Sequence, residues 1–113
     1  MYYFYHNPRC SKSRTALEYL QSHGISLEVI EYLKTPPTKA RLQKLLAKLT
    51  TAKMEIIRSG EVLFKTLGIA KNLSDSEIID ILLKYPVLLQ RPILETEDKV
   101  AIGRPLERMI EIL

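Results

Sequence analysis

The spacing of apolar residues in the first third of the chain predicts a strand, a helix and a second strand. Residues 2–5 form a short aromatic run that stops before an Asn-Pro pair, as is typical of a strand. Residues 11–23 carry apolar side chains at helical spacing, and Gly24 can cap that helix. Residues 27–32 return to a strand-like pattern before two prolines. These elements predict a βαβ unit, whose two strands should be parallel.

The middle of the chain, residues 38–85, is predicted to be helical. Thr38 can cap a helix that places several leucines on one side. Two short helical segments follow at residues 53–58 and 61–67, and each stops next to a glycine. Ser74 opens another helix, because a glutamate at the right spacing completes a capping box. This helical block separates the βαβ unit from the last part of the chain.

The last part of the chain predicts a hairpin followed by a helix. Residues 93–96 and 99–102 are two short strand patterns joined by a Glu-Asp turn. Gly103 ends the second strand, and Pro105 is suited to be the first residue of a final helix. The chain is therefore predicted to be an α/β protein with the order βαβ, helical block, ββα, in a single domain that covers residues 1–113.

Composition narrows the class of protein. A chain of 113 residues can bury a core without a disulfide, and this one has a single cysteine. No signal-like segment or bilayer-length apolar run is visible, so we expect a monomeric soluble protein of a reducing cytoplasm, with no membrane partner. The formal charge of +4 comes from basic residues scattered among acidic ones. That pattern favours a small-anion site over nucleic-acid binding.

The single cysteine, Cys10, falls in the predicted turn between the first strand and the first helix. Unpaired backbone N–H groups at a helix N-terminus stabilise a thiolate and bound anions. A buried, inert cysteine is the alternative, but the neighbouring residues are polar and basic, which favours a reactive thiol. His6 ends the first strand nearby. It is either a polar strand-end residue or an imidazolium that lowers the pKa of the thiol.

Other cysteine chemistries do not fit the residues around Cys10. A low-molecular-weight phosphatase loop needs an arginine where this chain has Ala16. A dithiol redox motif needs a second cysteine where this chain has Ser13. One cysteine and two histidines that are spread apart, including His23 at a helix end, do not predict a metal site. Cys10 is therefore predicted to act as a single thiol.

Two arginines flank the predicted hairpin and should be neighbours in space. Arg91 immediately precedes its first strand and Arg104 immediately follows its second, so both lie at the open end. A proline follows each of them and restricts the backbone there. The pair could be two surface arginines at loop ends, but the arrangement favours an anion clamp.

Several motifs together resemble one protein family. The active-site loop of the glutaredoxin-coupled arsenate reductase family is similar to residues 5–14, YHNPRCSKSR. The resemblance continues, in the same order, through residues 31–37 (EYLKTPP), 89–93 (LQRPI) and 102–105 (IGRP). It implies a thioredoxin-like fold, which is a mixed four-stranded sheet with a helical insertion between the second and third strands, here at about residues 38–85.

The resemblance also implies roles for individual residues. Cys10 takes the position of the family's nucleophile, and His6 that of a histidine near it. Ser13 falls where a serine hydroxyl can hydrogen-bond the thiolate. Pro92 should follow a cis peptide bond, because thioredoxin-like folds place a cis proline opposite the nucleophile. The family's oxyanion-binding arginines fall on Arg58, Arg91 and Arg104. For Arg58 the residues alone indicate only a favourable charge at a helix C-terminus.

The implied activity is the reduction of arsenate to arsenite by Cys10, with glutathione as co-substrate, glutaredoxin as partner and no bound cofactor or metal. Two rival functions stay open at this point. Transcription regulators of a related type bind RNA polymerase, and they commonly carry a second cysteine at the place of Ser13. A glutathione-dependent thiol transferase would need Cys10 but not the arginines.

Overall fold

The structure, a computed structural model that describes all residues from 1 to 113, is built on one four-stranded sheet. Its strands are β1 (Tyr2–His6), β2 (Leu27–Glu31), β3 (Ile93–Glu95) and β4 (Val100–Ile102). Their order across the sheet is β2-β1-β3-β4. The β1 and β2 strands are parallel, whereas β3 is antiparallel to both β1 and β4. The predicted mixed sheet of a βαβ unit and a hairpin is confirmed.

Helices flank this sheet in the predicted order. They are α1 (Ser11–Ser22), α2 (Lys39–Lys48), α3 (Val62–Thr66), α4 (Asp75–Lys84) and α5 (Glu107–Ile110). Short 3-10 turns also occur, at Lys53–Ile56 and Pro86–Leu88. The helical insertion therefore consists of α2, α3 and α4, which lie between β2 and β3 in sequence. Every helix is too short or too polar to cross a lipid bilayer.

The sheet separates two apolar cores, because successive residues of a strand point to opposite faces. Phe4 and Leu94 belong to a small core that also contains residues of α1 and α5. Tyr5 and Ile93, their neighbours in sequence, belong to a larger core with residues of α2 and α4. Both faces of the sheet are thus covered by helices, and the ends of the strands remain to carry functional groups.

Local signals place the helix ends where the sequence predicts them. The hydroxyl of Thr38 accepts a hydrogen bond from the Arg41 N–H at 3.2 Å at the start of α2. Ser74 and Glu77 form the predicted capping box at the start of α4, with bonds of 3.2 and 2.9 Å. Gly24, just beyond α1, has a φ of 74°, which a glycine adopts without strain.

The end of the chain differs from the prediction in two details. The final helix begins at Glu107 and not at Pro105. Pro105 instead opens a preceding turn, in which its carbonyl accepts from the Arg108 N–H at 3.1 Å. The β3 and β4 strands are also one residue shorter than predicted at the hairpin turn. Thr96 and Lys99 close that turn, since the Thr96 hydroxyl accepts from the Lys99 N–H at 3.0 Å.

A buried carboxylate ties the helical insertion to the sheet. Glu95 is only 2% exposed. It accepts a hydrogen bond from the Tyr5 hydroxyl at 2.8 Å and pairs with the Lys48 ammonium at 2.6 Å. Burial and this hydrogen bond raise the pKa of Tyr5, so the phenol remains a donor. A carboxylate is tolerated inside a protein only when it is paired in this way, and the pairing fixes the end of α2 against β1 and β3.

Candidate active site

Cys10 lies at the N-terminus of α1, as the sequence predicts. It is the residue immediately before the helix, and its carbonyl accepts the first helical bond from the Arg14 N–H at 3.0 Å. Its own N–H donates to the Asn7 carbonyl at 3.0 Å. The Asn7 side chain accepts from the Arg9 N–H at 3.0 Å, which tightens the turn. Cys10 is therefore held in a fixed turn, and the residue as a whole is 9% exposed.

The hairpin brings Arg91 and Arg104 together beside this thiol. Ile93 is paired with Ile102, so the residues just outside the hairpin also face each other. The Arg104 Nε donates to the Arg91 carbonyl at 2.6 Å, and its Nη2 lies 3.8 Å from the sulfur of Cys10. Arg91 and Arg104 are therefore neighbours, as the hairpin predicts, and the Cys10 thiol lies next to them.

Tight packing sets the backbone that carries the two arginines. The Arg91–Pro92 peptide bond is cis, as expected, and the Arg104–Pro105 bond, for which no expectation was made, is cis as well. The Gly103 N–H donates to the Pro92 carbonyl at 2.8 Å. A Cβ added to Gly103 would overlap the sulfur of Met109 and lie 2.9 Å from Pro92 Cγ. Any larger residue at this position would therefore require the Met109 and Pro92 side chains to shift.

Electrostatics around Cys10 favour the thiolate. Burial alone raises the pKa of the thiol, but opposing contacts outweigh it and bring the pKa below its ordinary value. The largest of these is a hydrogen bond from the Ser13 backbone N–H, followed by the positive charge of Arg91. The Lys12 backbone N–H and Arg104 add to the effect. The helix N-terminus and the hairpin arginines thus act on the same sulfur.

We expect the alkylation of Cys10 by iodoacetamide to show this depressed pKa. The rate should rise with pH as thiolate forms and reach half of its plateau below about pH 8.5, where a free thiol titrates. A peptide of residues 5–14 is the control, because it lacks the folded hairpin. A midpoint in the protein equal to or above that of the peptide would contradict the expectation.

Arg91 has donors that no protein group accepts. Its Nε and Nη1 atoms are buried and make no hydrogen bond. Buried polar atoms are nearly always paired, so an unpaired pair of guanidinium donors is a strong local signal. A guanidinium group donates strong, charge-assisted hydrogen bonds to tetrahedral oxyanions. Because Arg91 lies beside Cys10, its free donors favour an oxyanion held against the sulfur.

His6 and Ser13 contact each other and not the thiol through their side chains. The Ser13 hydroxyl lies 2.7 Å from His6 Nδ1 and accepts from the Asn7 N–H at 3.1 Å. This hydroxyl therefore has His6 and Asn7 as its partners in place of the expected thiolate, and it is the Ser13 backbone N–H that lowers the pKa of Cys10. Burial lowers the pKa of His6, which disfavours the imidazolium alternative near neutral pH. Both residues position the loop that holds Cys10.

Arg58 is placed differently from the other two arginines. Its guanidinium pairs with Glu61 at 3.0 Å, whereas the guanidinium that hydrogen-bonds Cys10 is that of Arg104. The 3-10 turn that precedes Arg58 ends at Ile56, so Arg58 does not lie in the last turn of a helix either. Its backbone N–H donates to the Leu88 carbonyl at 2.8 Å, which aligns this segment with the one that leads to Arg91. The structure thus shows Arg104 bonded to the thiol, whereas an oxyanion-binding role for Arg58 stays a prediction.

Tyr32 is a site neighbour that the sequence analysis did not identify. It is 1% exposed, and the side chain of Asn7 lies close enough to lower its pKa. Burial raises the pKa of Tyr32, while the nearby Arg91 opposes the rise. Parallel pairing of His6 with Glu31 brings the residues that follow both strands to one edge of the sheet. The parallel strands of the predicted βαβ unit could therefore have indicated that Tyr32, which follows the second strand, lies near the Cys10 loop.

Comparison with known proteins gives one consistent result. The model of the ArsC family matches residues 5–112. An arsenate reductase of Neisseria meningitidis serogroup A is 41% identical over 111 residues, which are 96% of this chain and 95% of that protein. An uncharacterized Escherichia coli K12 protein, YfgD, is 42% identical over 111 residues, or 96% and 93% of the two chains.

The solved structures agree with the sequence relatives. The structure of an arsenate reductase from Vibrio cholerae superposes with a TM-score of 0.90 at 37% identity. The match covers 99% of this chain and 97% of that one. Agreement over nearly all of both chains confirms the thioredoxin-like fold with its helical insertion.

Proposed function

The chain belongs to the ArsC family, and from this premise we propose that it reduces arsenate to arsenite through Cys10, with electrons from glutathione and glutaredoxin. Relatives and structural neighbours that carry the name arsenate reductase support the choice of substrate. The single cysteine of the chain supports the choice of an external reductant, because no internal disulfide can form.

One observation carries the proposal. The thiol of Cys10 lies at a helix N-terminus beside Arg91, whose Nε and Nη1 are buried without an acceptor. Arg104, which follows the other strand of the hairpin, approaches the same sulfur at 3.8 Å. A tetrahedral oxyanion would bring acceptors for these donors and an electrophilic central atom for the thiolate.

The first half of the reaction forms a bond between sulfur and arsenic. The Cys10 thiolate attacks the arsenic of arsenate, and an arsenate oxygen leaves as water after protonation. The backbone N–H groups at the start of α1 and the two guanidinium groups stabilise the oxyanion as its charge is redistributed. Because the pKa of His6 is lowered, we expect its imidazole to be neutral and to contribute no positive charge beside the thiolate. It holds Ser13, and through it the loop, in position.

The second half moves two electrons to arsenic. Glutathione thiolate attacks the sulfur of Cys10, and the sulfur–arsenic bond breaks with its electron pair left on arsenic as arsenite. The product on the protein is a mixed disulfide between Cys10 and glutathione. A glutaredoxin thiolate then attacks the glutathione sulfur and releases Cys10 as the thiolate. Both electrons come from thiols, one on the protein and one on glutathione.

The position of Ser13 weighs against a redox-switch regulator. A disulfide switch would need a cysteine there, whereas Ser13 is fully buried and bonded to His6. A thiol transferase remains the sharper rival, since it shares Cys10 and the glutathione chemistry. It does not require unpaired guanidinium donors at the thiol, so their presence supports an oxyanion substrate.

We expect turnover to depend on glutathione and glutaredoxin. NADPH should be consumed on addition of arsenate when glutathione, glutaredoxin and glutathione reductase are all present. Glutaredoxin regenerates the Cys10 thiol, glutathione regenerates glutaredoxin, and the reductase regenerates glutathione at the expense of NADPH. Thioredoxin with its reductase should support little activity in the absence of a small thiol. Glutaredoxin mixtures without arsenate or without the protein are the controls. Turnover with thioredoxin alone would contradict the proposed source of electrons.

A further inference from the structure

A cavity of about 480 Å³, which we call the Arg104 cavity, lies between the end of β4 and the helical insertion. Ile57, Phe64 and Ile102, which belong to the larger core, form much of its apolar lining. Gln90 adds an uncharged polar side chain. A cavity of this size that combines apolar walls with a few polar groups is suited to a small molecule.

The charges around the Arg104 cavity favour an anionic ligand. Its lining contains Lys71, Arg104 and Arg108 but only one carboxylate, that of Glu55. Glu55 pairs with Arg108 at 3.1 Å and so neutralises that cation. Lys71 and Arg104 have no carboxylate partner in the structure. The excess positive charge therefore lies on these two residues.

Arg104 connects the cavity with the reactive sulfur. The residue lines the cavity, and its Nη2 is 3.8 Å from the sulfur of Cys10. We infer that the Arg104 cavity binds the reductant of the proposed reaction, an anionic peptide thiol of the size of glutathione. A carboxylate of the peptide lies near Lys71, and its thiol reaches Cys10 past Arg104. This inference rests on the proposed function, in which the thiol of glutathione must reach Cys10.

A smaller cavity of about 310 Å³ borders Arg104 on its other side, between the first turn of α1 and Pro105. Lys12 is its only other charged residue. Its volume leaves less room for a tripeptide than the Arg104 cavity does. The lysine of each cavity, Lys12 or Lys71, provides a way to distinguish the two locations.

An exchange reaction without arsenate tests the inference on the intact protein. The Cys10 thiolate attacks glutathione disulfide, a new disulfide forms between Cys10 and one glutathione, and the other glutathione leaves as thiolate. The rate, followed by intact mass, is compared with that for neutral 2-hydroxyethyl disulfide. The variants are Lys71→Glu, Lys12→Glu and the control Lys44→Glu, which makes the same charge change on the exposed side of α2.

We expect Lys71→Glu to slow exchange with glutathione disulfide by roughly fivefold relative to 2-hydroxyethyl disulfide, as charge reversal beside a solvated anion would. High salt should reduce the difference, and Lys44→Glu should leave the ratio of the two rates unchanged. Equal effects on both disulfides, no effect, or a selective effect confined to Lys12→Glu would each overturn the inference.

The exchange measurement and the proposed function can fail separately. A wild-type protein that does not turn over arsenate would contradict the proposed function. The effect of Lys71→Glu on exchange with glutathione disulfide would still show whether glutathione binds in the Arg104 cavity. An active enzyme whose Lys71→Glu variant shows no selectivity would contradict the Arg104 cavity alone.

Discussion

We expect that replacing Cys10 with serine abolishes arsenate turnover, so that only the rate measured without protein remains. The hydroxyl that takes the place of the thiol is not ionised at neutral pH and cannot form the disulfide on which the second half of the reaction depends. The backbone bonds of Cys10 to Asn7 and Arg14 do not involve the side chain, so the turn and α1 should persist. The coupled NADPH assay measures the loss, and thermal unfolding checks the fold.

A neighbouring serine provides the control for this variant. Ser11 is exposed in the first turn of α1, and Ser11→Ala should retain most of the activity. Measurable turnover by Cys10→Ser above the protein-free rate would mean that another group attacks arsenic. Since the chain has no other cysteine, such a result would end the thiol mechanism.

We expect that replacing either Arg91 or Arg104 with alanine lowers the arsenate kcat/KM by about a hundredfold or more, the usual cost of removing an oxyanion donor. Arg91 loses the unpaired Nε and Nη1 donors. Arg104 loses its approach to Cys10 and also the 2.6 Å bond to the Arg91 carbonyl, so its loss should misplace Arg91 as well. The double variant should therefore be less affected than the product of the two single effects.

The control for the arginine variants is Arg9→Ala. Arg9 is exposed and is adjacent to Cys10 in sequence, so the variant removes a positive charge close to the thiol without touching the hairpin. It should change the arsenate kinetics only slightly. If both hairpin variants kept wild-type arsenate kinetics, the anion clamp would be wrong and the thiol-transferase rival would be favoured.

The fold could be predicted from the sequence because its signals are local. The capping box of Ser74 and Glu77 and the glycine after α1 depend on residues a few positions apart. The proximity of Arg91 and Arg104 is also a local inference, since hairpin pairing fixes which residues face each other. The position of Cys10 before α1 follows from the change in apolar spacing.

Side-chain partners could not be predicted in the same way. Arg58 pairs with Glu61 only because of the rotamers that both adopt, and nothing in the apolar pattern specifies them. Ser13 illustrates the same limit: its position in the first turn of α1 was clear, but the choice between its hydroxyl and its backbone N–H as partner of the thiol was not. Burial of Glu95 depends on contacts between distant segments.

A single-turnover experiment tests the central claim most directly. Reduced protein is mixed with arsenate and glutathione but no glutaredoxin, arsenite is quantified, and the intact mass is measured. The account predicts one glutathione attached at Cys10 for each arsenite formed, and no modification when arsenate is omitted or when Cys10→Ser is used. Arsenite released from a chain whose Cys10 remains unmodified would contradict the account.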